Sequence, residues 1–215
     1  MTQPEFKLNL FRLVDVLPTL RTSAAIQSHV TEYLAPAASN FSPLIAWGLR
    51  APPSSLRAKA TAMLVKMGVS QMAAMFIAGE NPQSALKRLR KTRKNGLAFT
   101  VDLLGECCIS DYEAIIYLER YLEALEVFGS AVPKWEESNP IVCDHPGELS
   151  PVCISVKLTA LYSQCSPLNF ERSVQVLSER LTQIVRSAQR IGALMYIDAE
   201  DTANNPIIYE TFKRV

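Results

Sequence analysis

A chain of 215 residues, 48% hydrophobic and 20% charged, can bury a sizeable core as one large domain or a domain with an appendage. Its net charge of +1 excludes an electrostatic case for nucleic acid or an anionic membrane as the main partner. Five cysteines, at 107, 108, 143, 153 and 165, show no repeated C-x-x-C spacing, which argues for reduced thiols in a cytosolic setting over disulfides or zinc. Residues 1–5 read as no signal peptide, and no apolar run approaches the roughly 20 residues of a membrane span.

Residues 6–80 read as helical and poor in glycine. An amphipathic stretch carries Phe6, Leu10, Leu13, Val14 and Leu17 and stops at Pro18. Thr22 or Ser23 caps a helix through Ile26, Val30, Tyr33 and Leu34, which ends at Pro36. A short piece spans Phe41 to Leu49, and Pro52-Pro53 breaks the chain. Ser54 or Ser55 then starts a long helix bearing Leu56, Met63, Leu64, Met67, Met72 and Met75. A methionine stripe at helical spacing reads as core.

From residue 81 the pattern alternates between helix and strand. Asn81-Pro82 opens a helix that runs to Gly96. Its Lys87, Arg88, Arg90, Lys91, Arg93 and Lys94 suit a helix C-terminus; without interleaved aromatics they read as a solvated face, not a nucleic-acid patch. Residues 97–103 form the first strand, with Ala98, Thr100 and Asp102 on the inward row. Ser110-x-x-Glu113 is a capping box that starts a helix to Gly129. A Pro-rich loop over 131–151 leads to the second strand, 152–161. A helix from Ser166-Pro167 to Gly192, a third strand over 193–199 and a helix from Asn205-Pro206 complete the chain.

Three strands separated by helices imply parallel strands with crossover helices. No G-x-G-x-x-G or Walker loop follows a strand, so a (β/α)8 barrel explains the pattern better than a nucleotide-binding sheet. On the second strand, Val152, Ile154, Val156 and Leu158 form an apolar row, while Cys153, Ser155, Lys157 and Thr159 form a polar one. The last inward positions of the three strands are Asp102, Lys157 and Asp198, where a barrel gathers its catalytic groups. Lys157 could be a Schiff-base nucleophile, as in a barrel aldolase, or a protonated anchor for an anionic substrate. Flanking carboxylates favour the protonated form. The bland reading is an internal ion-pair network; His29 and His145 read as incidental.

Asp102-Leu103-Leu104-Gly105-Glu106, Ile154-Ser155-Val156-Lys157-Leu158-Thr159-Ala160-Leu161 and Ile197-Asp198-Ala199-Glu200 resemble three successive blocks of proline dehydrogenase in its bacterial form, as in the bifunctional proline-utilisation flavoenzymes. Phe11 to Pro18 and Phe76 to Glu80 are similar to that family's helical preface. The resemblance implies FAD-dependent oxidation of L-proline to Δ1-pyrroline-5-carboxylate, with electrons passed to a quinone. It implies a cytoplasmic protein, peripheral at the inner membrane face for quinone reduction. Lys157 would help to bind the proline carboxylate, Asp198 would lie by flavin and substrate, Glu106 would gate the proline site, and Asp102 would support it.

The family continues through five further strands that carry an Arg-Leu-Val-Lys-Gly-Ala-Tyr-type block and carboxylate-binding arginines, none of which follows Asp198. The expected fold class is therefore α/β, with a helical preface (1–80) and the first three βα units of a (β/α)8 barrel (81–215), truncated before closure. Such a chain is expected to be inactive alone and not to retain FAD. The alternative is a non-catalytic remnant, or a subunit whose barrel is completed by a second chain.

Overall fold

Short polar side chains and prolines set where the helices begin. The computed structural model describes residues 3–40, 42–104, 108–135, 143–144, 147–148 and 150–215, and the chain divides into two compact units, Met1–Ile77 and Ala78–Val215. The first holds α1 (Gln3–Val16), α2 (Ser23–Leu34), α3 (Pro43–Leu49) and α4 (Leu56–Phe76). Thr22 caps α2 by accepting the Ala25 N–H at 3.1 Å, and Ser55 caps α4 through Ala58 at 3.1 Å. Leu13, Leu17, Ile26, Val30, Leu34 and Leu49 form the core of this unit. The buried Gln27 amide donates to the Gly48 and Leu49 carbonyls at 3.2 and 3.1 Å, tying α2 to the end of α3.

The methionine stripe is not core. α4 buries only Ala58 and Ala62, whereas Met63, Leu64, Met67, Met72 and Met75 are exposed. Two alanines let the helix approach its neighbours closely with little side-chain volume, so its bulky residues fall on the outer face.

The second unit begins with α5 (Pro82–Lys94), whose Asn81 and Ser84 satisfy each other's backbone N–H groups in a capping box. Then follow β1 (Val101–Asp102), α6 (Asp111–Ala131), β2 (Cys143–Asp144), β3 (Gly147–Glu148), β4 (Cys153–Lys157), α7 (Phe170–Arg190), β5 (Leu194–Asp198) and α8 (Asn205–Arg214). The expected box at α6 is shifted by one residue. Ser110 accepts the Glu113 N–H, but the Glu113 carboxylate accepts from Ile109 at 2.8 Å. The 131–151 region, read as loop, contains the antiparallel pair β2–β3.

β1, β4 and β5 form a parallel sheet in that order. The alternation of β4 decides its orientation. Val152, Ile154, Val156 and Leu158 are fully buried against Tyr121, Leu125 and Phe128 of α6 and Val174, Leu177, Leu181 and Ile184 of α7. α7 presents an apolar residue every three or four positions, the spacing that keeps one helical face on the sheet. The first strand is much shorter than the expected 97–103. With Val101 opposite Ile154, residue 98 would meet Pro151, which has no N–H to offer, and residues 97, 98 and 100 remain exposed.

Tyr121 joins the core to the sheet. It is fully buried, and its hydroxyl accepts the backbone N–H of Lys157 at 3.2 Å. Burial pushes its pKa up to about 12, partly opposed by that hydrogen bond; the Asp102 and Glu200 charges add to the rise.

Two outcomes follow from this packing. A Cβ on Gly79 would sit 2.5 Å from the Ala85 nitrogen and 2.8 Å from the Ser84 carbonyl carbon, so the first turn of α5 would have to move. Gly79→Ala should therefore destabilise the chain by about 1–3 kcal/mol, read from urea denaturation. Folded Tyr121 keeps its proton up to about pH 12, whereas an unfolded phenol releases it near pH 10. Its stabilisation is complete below pH 10 and is lost as pH rises through 12. From pH 9.5 to 12.5 the parent chain should lose roughly 2–3 kcal/mol more stability than Tyr121→Phe; parallel pH profiles would contradict this.

Candidate active site

The polar row of β4 ends in a buried cation. Lys157 is 4% exposed, although it stands on the face of the strand opposite the helix-packed core. A buried ammonium is costly unless it is paired and hydrogen-bonded. Its Nζ lies 3.2 Å from Asp102 Oδ2 at the end of β1 and 3.0 Å from Glu200 Oε1 just beyond β5. Charges from the strands on both sides thus converge at the carboxyl end of the sheet. The three groups together carry a formal charge of −1, one ammonium against two carboxylates.

The structure brings together Asp102 and Lys157 but gives the third place to Glu200. Asp198 lies directly opposite Lys157 in the strand register, is exposed, and makes no ion pair among the described residues. The Lys157 ammonium takes other partners. Glu200, two residues further along and one methylene longer than Asp198, meets it. The signal for Glu200 was the i, i+2 spacing from Asp198, which keeps both on one face of an extended chain. Glu106 and His145 lie outside the described residues. His29 bonds the Ala25 carbonyl at 2.9 Å and packs edge-on against Tyr33, a contact within its own helix.

The loops that frame this end are anchored by named contacts. After Lys157 the chain enters a 3-10 turn, Leu158–Leu161, with Leu158, Ala160 and Leu161 buried. Arg180 of α7 donates to the Leu161 carbonyl at 2.6 Å and to Asp111 at 2.8 Å, linking this turn to the first turn of α6. Cys108 lies 3.6 Å from the Thr159 carbonyl. Cys165 and, at the other end of β4, Cys153 are poor nucleophiles at neutral pH, because burial pushes Cys165 up to about 11 and raises Cys153. Among the described residues, no group of three His, Cys, Asp or Glu side chains could hold a metal ion. The arrangement offers a fixed positive charge, two carboxylates that hold it, and a sheet face left open at Leu194, Tyr196 and Asp198.

Comparison with known proteins agrees with this architecture. Residues 1–76 match the proline utilization A N-terminal domain, and residues 85–215 match the proline dehydrogenase family. The bifunctional protein PutA of Escherichia coli K12 is 28% identical over 138 residues, 64% of this chain and 10% of that protein; PutA of Salmonella typhimurium is 28% identical over 137 residues. This chain therefore spans about a tenth of the length of these relatives. The crystal structure of proline utilization A from Bdellovibrio bacteriovorus, inactivated by N-propargylglycine, superposes with a TM-score of 0.77 at 35% identity, covering 98% of this chain and 20% of that one. The Bradyrhizobium japonicum protein shares the fold at 20% identity and a TM-score of 0.58. With a proline dehydrogenase match across more than half of its residues, joined to a proline utilization A N-terminal domain, the chain belongs to the proline dehydrogenase family.

Proposed function

We propose that this chain supplies the helical N-terminal part (1–80) and the first three βα units (81–215) of a (β/α)8 proline dehydrogenase that oxidises L-proline to Δ1-pyrroline-5-carboxylate in proline catabolism. The observation that carries this reading is the buried Lys157 ammonium, clamped by Asp102 and Glu200 at the carboxyl end of the parallel sheet. Barrel enzymes place their reacting groups at that end.

The oxidation removes a hydride from the ring carbon beside nitrogen and a proton from the nitrogen, leaving a C=N bond. FAD, when bound, supplies the two-electron acceptor, which a quinone would re-oxidise. The open sheet face suits a flat ring system, because Cys153 and Ser155 are small and the Tyr196 ring is exposed beside them. Asp198, at the edge of that face, would hold the flavin and stand next to the substrate. Lys157 would bind the proline carboxylate, while Asp102 and Glu200 keep it protonated and fix its position. Glu106 would gate the pocket. The protein would work in the cytoplasm, peripheral at the inner membrane face when it meets quinone; no helix among the described residues is long and apolar enough to cross a membrane.

On this reading the chain supplies less than a whole site. A third carboxylate brought to a cluster that is already −1 is repelled unless further cations join it. Arginines on later strands are the expected source, so the chain alone should neither retain FAD nor turn over proline. In the alternative reading, a subunit whose barrel is completed by a second polypeptide, that partner would meet the far edge of β5. No strand pairs there among the described residues, and Met195, Ile197, Ile208 and Phe212 line an apolar cavity beside it.

The purified 215-residue chain should show no flavin absorbance and no proline-dependent reduction of a dye or quinone; turnover by this chain would sink the partial-site reading. In a chain joined to the remaining barrel strands, Lys157→Met should raise KM for proline by about 30- to 1,000-fold, the equivalent of losing about 2–4 kcal/mol of charge pairing. An unchanged KM would remove Lys157 from substrate binding.

A further inference from the structure

Helix α5 carries a charge pattern that the lumen site does not explain. Lys87, Arg90, Lys91 and Lys94 recur at i, i+3, i+4 and i+7, so four cations share one face. The opposite side is core, with Ala85 and Leu89 buried and the Arg93 guanidinium donating to the Pro151 carbonyl at 2.8 Å. Pro82–Lys94 contains no acidic residue, and none of the four outward cations forms an ion pair among the described residues. The helix dipole accounts for cations in the last turn but not for Lys87 and Arg90 further back. Like charges at i, i+4, here Lys87 with Lys91 and Arg90 with Lys94, weaken a helix unless an anion relieves them.

The aromatic group missing from the local sequence arrives from elsewhere in the fold. Trp135, after the 3-10 turn that closes α6, packs on Phe99 with ring centroids 6.3 Å apart. With Leu86 and the four cations it lines a cavity of about 540 Å³, within the range of small-molecule sites. The cavity is remote from Lys157. Arg93, on the same helix, touches Pro151 just before β4, and Lys157 ends that strand six residues later, roughly 20 Å along an extended chain.

We propose that this cavity binds a nucleoside polyphosphate, with its phosphates along Lys87, Arg90, Lys91 and Lys94 and its base against Trp135 and Leu86. Four cations match the charge of a triphosphate, and an aromatic wall beside an aliphatic one suits a planar base. A nucleic-acid strand needs a continuing cationic track with successive stacking rings, whereas this cavity has one ring and the length of one short helix face. The inference does not depend on the proline reading.

Trp135 reports on its own site once Trp47, the other tryptophan, is replaced. In a Trp47→Phe chain, ATP should quench the fluorescence saturably, adenosine should not bind below about 1 mM, and tripolyphosphate should bind at least about threefold more weakly than ATP. The pair Lys87→Gln and Lys91→Gln should weaken ATP binding about tenfold or more while the emission of the free protein stays unchanged. The proposal is overturned by no saturable change below about 5 mM ATP, by equal affinity for adenosine or tripolyphosphate, or by an oligonucleotide of about ten thymidines binding about 100-fold more tightly than ATP.

Discussion

A lysine ammonium taken out of water at the end of β4 sets the terms for the second unit. Desolvating that charge costs several kcal/mol, and only close opposite charges with good geometry offset the cost. The offset comes from Asp102 and Glu200, which reach Lys157 from the strands on its two sides. Neither contact can form unless the three strands are parallel and in the observed register. Register, loop anchoring and site are therefore one problem. Tyr121, buried in α6 and bonded to the Lys157 backbone, connects that solution to the core.

The sheet has two faces of opposite character, and the division of labour follows from it. The row from Val152 to Leu158 is covered by α6 and α7, and its apolar burial forms part of the core that drives folding of the unit. The other row carries little that could drive folding, so it is free to hold charge and small side chains. β5 continues the pattern with Met195 and Ile197 partly buried towards the helices and Leu194, Tyr196 and Asp198 exposed. That open face is the one on which Asp102, Lys157 and Glu200 meet.

The two units expose different surfaces. α4 turns alanines inward and methionines outward, whereas α5 turns leucine and alanine inward and an unbalanced row of cations outward. Hydrophobic periodicity marks the residues that share a face of α4 but not which face is buried, because alanine can win an interior by allowing close approach. In α5 the cations gain meaning only through Trp135, which lies on another element.

Local chemistry was legible in the amino-acid sequence by itself. Helix starts at Thr22, Ser55, Asn81 and Ser110 follow from short-range capping, and the two faces of β4 follow from strict alternation. The same alternation singled out Lys157 and Asp102, and the ordered blocks around them carried the family. What the tertiary structure alone decided were matters of reach and register. β1 runs for only two residues, Glu200 and not Asp198 pairs with Lys157, and Trp135 came to face α5. Such distances depend on where elements far apart in the chain come to rest, and no local pattern encodes them.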